Sequence, residues 1–281
     1  MSPQLSPVGR FERILLSTDG SEFGAGAEAA AIGLAGLWRV PLRAMTMAFS
    51  NAEFDAIAPQ KAREAEAAAL AVVERIKAQA QAAGLACDTV VRRGDEPHRE
   101  IVAEARAGNI DVIVMGRRGG RGRARMMVGD ATAKVIGEAH GSILVCPKAA
   151  GMFSQRIVLG TDGSRFSDAA AIAAGNLARR AGLPVTVAGV MKPAFGEARR
   201  AEAKAAVERV VAHFAAEGID AEALLEEGQP DEVVVGTAAT RGADLIVVGS
   251  HGRTGMARLL MGSTSERIIG LAACAVLVVK G

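Results

Sequence analysis

Short runs of Val, Ile and Leu alternate along this chain with longer Ala-rich stretches in which apolar residues recur at spacings of three and four. The short runs are apolar at consecutive positions, as strands are when helices cover both faces of their sheet, and this predicts a parallel sheet. In the C-terminal half the runs predict strands near 156–161, 184–191, 219–226, 244–249 and 274–279. Between the second and third of these, Val207, Val210, Val211 and Phe214 fall on one face of a helix. In the N-terminal half Leu70, Val73, Ile76 and Ala80 do nearly the same. Five strands joined by four crossovers predict a doubly wound α/β fold, whose ligands sit at the C-terminal ends of the strands.

The pattern occurs twice. Ile14-Leu-Leu-Ser-Thr-Asp-Gly-Ser21 returns as Ile157-Val-Leu-Gly-Thr-Asp-Gly-Ser164, and Asp111-Val-Ile-Val-Met-Gly-Arg-Arg-Gly119 returns as Asp244-Leu-Ile-Val-Val-Gly-Ser-His-Gly252. The offset is 143 at the first anchor and 133 at the second, so the later copy has lost about ten residues, a loss expected in the loop after the second strand. A period this long is a domain duplication rather than a solenoid, whose repeats run about 20 to 50 residues. The expected domains are residues 1–148 and 149–281, with a short joint around 148–155.

Composition narrows the function. The 281 residues are 50% hydrophobic, and 33 Lys and Arg oppose 31 Asp and Glu for a net charge of +2. That balance does not suit a general nucleic-acid or membrane binder. With no Tyr, one Trp and 8 Phe, little is available to stack on bases. The apolar runs are too short to span a bilayer. The first ten residues carry no charged start followed by an apolar block, so secretion is not expected. Cys87, Cys146 and Cys274 are too few and too scattered for a disulfide framework or a zinc site, which fits a reducing, cytoplasmic setting. Cys146 and Cys274 are expected as buried apolar residues of the last strands.

The candidate chemistry lies at strand ends. Thr18-Asp19-Gly20-Ser21 and Thr161-Asp162-Gly163-Ser164 stand where the first strand of each copy turns into a helix. Asp and Ser there could serve only as local caps. Alternatively, Asp162 could accept from a ribose hydroxyl or help to hold a metal ion. After the fourth strand, Gly249-Ser-His-Gly252 is followed nine residues on by Gly262-Ser263-Thr264-Ser265, leading into a helical stretch at 266–271. Small residues, free amides and hydroxyls at a helix start make a cradle for an anion such as a phosphate chain, unless the segment is only a Gly-rich loop. It is neither a Walker motif nor a dinucleotide fingerprint.

With these residues the chain resembles the universal stress protein family over nearly its whole length, and Gly-x2-Gly-x9-Gly-Ser is the ATP-binding signature of that family. The resemblance implies two tandem five-stranded sheets of order 3-2-1-4-5, packed as a pseudo-two-fold pair, with ATP, alone or with Mg2+, across the strand ends. By the same resemblance Asp162 meets ribose or phosphate and Val190 touches adenine through its backbone. Gly249, Gly252, Gly262, Ser263 and Thr264 hold ribose and phosphates. It also implies an unidentified regulatory protein partner and leaves a further homodimer open.

The earlier copy keeps Asp19, Gly116, Gly119 and Gly129 but has Asp130 where Ser263 stands in the later one. A carboxylate at that point faces phosphate oxygens, and like charges a few ångströms apart cost on the order of 1 kcal/mol near water. The later copy is therefore expected to be the better nucleotide site. Arg117, Arg118, Arg121, Arg123 and Arg125 crowd the loop between the glycines; they could offset Asp130 or form a solvated basic segment. His251 lies between two cradle glycines, and His98, His140 and His213 form no ligand spacing. No catalytic constellation or metal site stands out, and no Gly-x-Ser-x-Gly elbow occurs. The expected function is an ATP-binding stress-response regulator. The alternatives are a slow ATPase or nucleotide-dependent transferase, and a scaffold without nucleotide.

Overall fold

The computed structural model describes residues 9, 11–117, 129–252 and 261–281. These fall into two compact units, one of residues 11–117 and 129–152, the other of residue 9 and residues 153–252 and 261–281.

In the N-terminal unit the apolar runs form β1 (Ile14–Ser17), β2 (Leu42–Phe49), β3 (Cys87–Gly94), β4 (Val112–Gly116) and β5 (Ser142–Cys146). All pairings are parallel and the order is 3-2-1-4-5. The connecting helices are α1 (Ala25–Trp38), α2 (Ala52–Ile57), α3 (Pro59–Ala82), α4 (Pro97–Ala107) and α5 (Asp130–Glu138). Helix α1 packs on β1, β4 and β5, and α3 packs on β2 and β3. Ile14, Leu15, Leu16, Val112, Ile113 and Val114 are fully enclosed, as expected of a sheet buried on both faces.

The C-terminal unit repeats this plan with β6 (Ile157–Thr161), α6 (Arg165–Ala181), β7 (Val185–Met191), α7 (Glu197–Ala216), β8 (Ala221–Glu227), α8 (Pro230–Thr240), β9 (Leu245–Gly249), α9 (Ser263–Leu271) and β10 (Ala275–Val279). Its order, β8-β7-β6-β9-β10, is again 3-2-1-4-5 in its own numbering.

Register locates the lost residues. Leu42 pairs with Cys87, 45 positions on, whereas the equivalent Val185 pairs with Ala221, 36 positions on. Nine residues therefore disappear between the second and third strands, where only the N-terminal unit has the extra helix α2 and where α3 is longer than α7.

Three expectations change in detail. Leu70 is 52% exposed, because the inward stripe of α3 runs through Ala62, Ala69, Val73, Ile76 and Ala80; a residue next to Ala69 is turned about 100° away from it. Cys274 precedes β10 and is only half-buried, unlike Cys146. Helix α9 starts at Ser263 instead of 266, so the hydroxyl residues form its first turn.

Candidate functional site

At the end of β6 the chain must turn sharply into α6. The turn is closed locally: Ser164 N–H donates to Asp162 Oδ1 at 3.0 Å, and Ser164 Oγ caps the helix by accepting from Ser167 N–H at 3.2 Å. Ser164 is thus the helix cap, and Asp162 closes the turn before it through one carboxylate oxygen. The other, Oδ2, comes to 2.8 Å from the place a Cβ on Gly252 would take, closer than real Cβ atoms allow. Asp162 and Gly252, 90 residues apart in sequence, are thus neighbours in the fold, and a side chain at 252 would crowd the Asp162 carboxylate.

Gly262 completes the wall. Its amide donates to the Ser250 carbonyl at 2.9 Å, and a Cβ there would come 3.4 Å from His251 Cα and 3.9 Å from the Gly252 nitrogen. Helix α9 therefore begins directly beside the turn 250–252. The first amides of a helix have no intrahelical acceptor, and here they belong to Ser263, Thr264 and Ser265. Ser263 is exposed and Thr264 half-buried, so this turn opens toward solvent and its amides and hydroxyls are placed for an anion. Val190 also reaches this end of the sheet: Thr161 pairs with Gly189, so Val190 lies one residue beyond, level with Asp162.

Gly249 plays a different part. A Cβ on it would sit 2.7 Å from the carbonyl carbon and oxygen of Phe166, so the strand end is pressed against the first turn of α6. Its carbonyl accepts from the buried Ser265 Oγ at 2.8 Å, which ties α9 to β9. Packing alone accounts for glycine here. Gly116 matches it in the N-terminal unit, with a Cβ position 2.7 Å from the Phe23 carbonyl oxygen. The sequence places Ser265 among the cradle hydroxyls without its role in tying α9 to β9, and does not single out Phe166. Their signals were a third hydroxyl in the run 263–265 and a Phe at the same offset in both copies.

The N-terminal unit brings together fewer of its named residues. Asp19 Oδ1 accepts from Ser21 N–H at 3.0 Å, repeating the local closure of Asp162. Gly129 is the N-cap of α5. Gly119, Arg118, Arg121, Arg123 and Arg125 lie outside the described residues. Asp130 is the first residue of α5, equivalent to Ser263, and its carboxylate runs along its own helix to Lys134 Nζ at 2.9 Å. That hydrogen bond pushes the Lys134 ammonium above its ordinary pKa. A cation on the same helix thus partners the carboxylate expected to face phosphate.

Beneath the turn of the N-terminal unit, Thr18 Oγ1 donates to the buried Glu28 at 3.0 Å, and Arg75 of α3 grips the same carboxylate at 2.8 and 3.0 Å. The hydrogen bond to Glu28 outweighs burial and raises the Arg75 pKa. In the C-terminal unit the equivalent Thr161 donates instead to Ser167 Oγ at 3.2 Å. Glu28 was visible in sequence as the sole charged residue of the stretch Ala25–Trp38. Among the described residues no group of three or more His, Cys, Asp or Glu side chains could hold a metal ion, and no helix is long and apolar enough to cross a membrane.

A tandem of doubly wound α/β units with glycine-lined strand ends defines a class, and comparison with known proteins makes it specific. The profile of the Universal stress protein family matches residues 10–147 and again 154–280, and the chain belongs to that family. A universal stress protein of Methanocaldococcus jannaschii is 36% identical over 139 residues, 45% of this chain and 82% of that protein. One of Mycolicibacterium smegmatis is 27% identical over 210 residues, 70% of each chain. The crystal structure of a universal stress protein from Archaeoglobus fulgidus shares the fold, with a TM-score of 0.77 at 21% identity over 95% of this chain and 97% of that one.

Proposed function

We propose that the C-terminal unit binds an adenine nucleotide, ATP by the family resemblance, and that the chain acts as a cytoplasmic stress-response regulator through that binding. One observation carries the reading: the Asp162 carboxylate comes to 2.8 Å from the Cβ position of Gly252, so the turn after β6 meets the turn after β9 beside the start of α9. A carboxylate that accepts from ribose hydroxyls then borders amides and hydroxyls that donate to phosphates. Val190 presents backbone to the base. Ser263 and Thr264 take the phosphate side, and Gly249 shapes the floor through packing. Any Mg2+ would be carried chiefly by the phosphates.

The N-terminal unit is the weaker site in this reading, because Asp130 adds a carboxylate at the helix start that would otherwise receive a phosphate, even with Lys134 beside it. The groups around the cradle hold and orient, and the function proposed is binding rather than turnover.

Isothermal calorimetry with ATP tests this. In Gly252→Ala the added methyl displaces the Asp162 carboxylate, and ATP affinity is expected to fall at least about tenfold, the equivalent of one charge-assisted contact. Unchanged affinity would remove the cradle from the account.

A further inference from the structure

The two units carry the same contact with opposite charge beside it. In each, a Phe at the start of the first crossover segment presses its backbone against the last glycine of the fourth strand: Phe23 against Gly116, and Phe166 against Gly249, both at 2.7 Å from the Cβ position. The residue just before that Phe therefore occupies the same place in both units. It is Glu22 in the N-terminal unit, where it is ion-paired with Lys148. It is Arg165 in the C-terminal unit, where the guanidinium carbon lies 4.6 Å from the centroid of the Phe166 ring.

The Phe166 ring in turn lies 5.2 Å from the His251 imidazole, tilted by 45°. His251 Nδ1 is 3.2 Å from Ser250 Oγ, within the turn that abuts Gly262. Arg165, Phe166 and His251 form a column that starts beside the anion cradle and ends in an exposed cation held against an aromatic face. A guanidinium kept in place this way loses little freedom on binding, and its fork suits phosphate oxygens.

We propose that Arg165 makes the C-terminal unit selective for nucleoside di- and triphosphates over monophosphates, by engaging the phosphates beyond the first. The inference rests on the nucleotide reading of this site. Glu22 at the equivalent place turns the same position of the N-terminal unit against a phosphate tail.

Calorimetric titration of the full chain with ATP, ADP and AMP, in wild type and in Arg165→Met and Arg165→Lys, separates this inference from the reading beneath it. Wild type is expected to favour ATP over AMP. Arg165→Met should shrink that preference about tenfold while AMP affinity stays within about twofold, the loss of one charge-assisted contact. Arg165→Lys should retain part of the preference. Raising the salt concentration should erode the preference in wild type more than in Arg165→Met. A preference unchanged in Arg165→Met, or ATP and AMP weakened equally, overturns the role of Arg165 and leaves the site standing. A wild-type chain that takes up none of the three nucleotides overturns both.

Discussion

Gly249 and Gly252 sit three residues apart in one motif, yet the absence of a side chain lets two backbones pack at one and leaves room for the Asp162 carboxylate at the other. A methyl group at 249 meets backbone atoms of Phe166 that cannot move without shifting α6, whereas one at 252 meets the end of a carboxylate. Gly249→Ala is therefore expected to cost roughly 1–3 kcal/mol of stability by overpacking. Gly252→Ala should cost well under that while still disturbing the site. Urea denaturation of the two variants checks this, and equal losses would show that both glycines serve packing alone. The motif was plain in the sequence, but this division of labour was not, because spacing does not say which neighbour a Cα will touch. Asp130 illustrates the same gap: its partner Lys134 stands at i+4, a legible spacing, yet only the structure shows the pair formed.

Strand ends of the C-terminal unit were readable to within one or two residues, since apolar runs stop where the sheet does and the repeat supplied the first and fourth strands twice. The helices were less legible. Leu70 looked like a core residue by period alone, but Ala69 takes that place and Leu70 is turned to solvent. The insertion that forms α2 was expected only as a loop. Within the N-terminal sheet, β5 ends in Cys146, whose complete burial raises its thiol pKa from 9.0 up to about 12. Neutral in the folded chain, the thiol ionises on unfolding once the pH passes its ordinary value, so its contribution to stability is intact below about pH 9 and is lost as pH rises toward 12. Above pH 9 the stability of wild type should fall more steeply than that of Cys146→Ala, by up to about 1.4 kcal/mol per pH unit. Denaturation curves at pH 9 and 10 test it, and parallel losses would mean that the thiol is not shielded.

At the scale of the whole molecule, duplication preserved the frame and let the two sites diverge. Both units keep the 3-2-1-4-5 sheet, the Asp that closes its own turn, and the Phe-on-Gly contact. The corners that would meet phosphate differ: Glu22 and Asp130, each with a Lys partner, replace Arg165 and Ser263. The proposed asymmetry rests on Asp130, and on Glu22 as a second acidic group where the C-terminal unit has Arg165. Native mass spectrometry of the full chain with ATP measures the consequence most directly, applied to wild type, Gly252→Val and the matching N-terminal variant Gly119→Val. One ATP per chain, lost in Gly252→Val and kept in Gly119→Val, is the predicted result; a wild-type chain that takes up no ATP, or a complex that survives Gly252→Val, would contradict it.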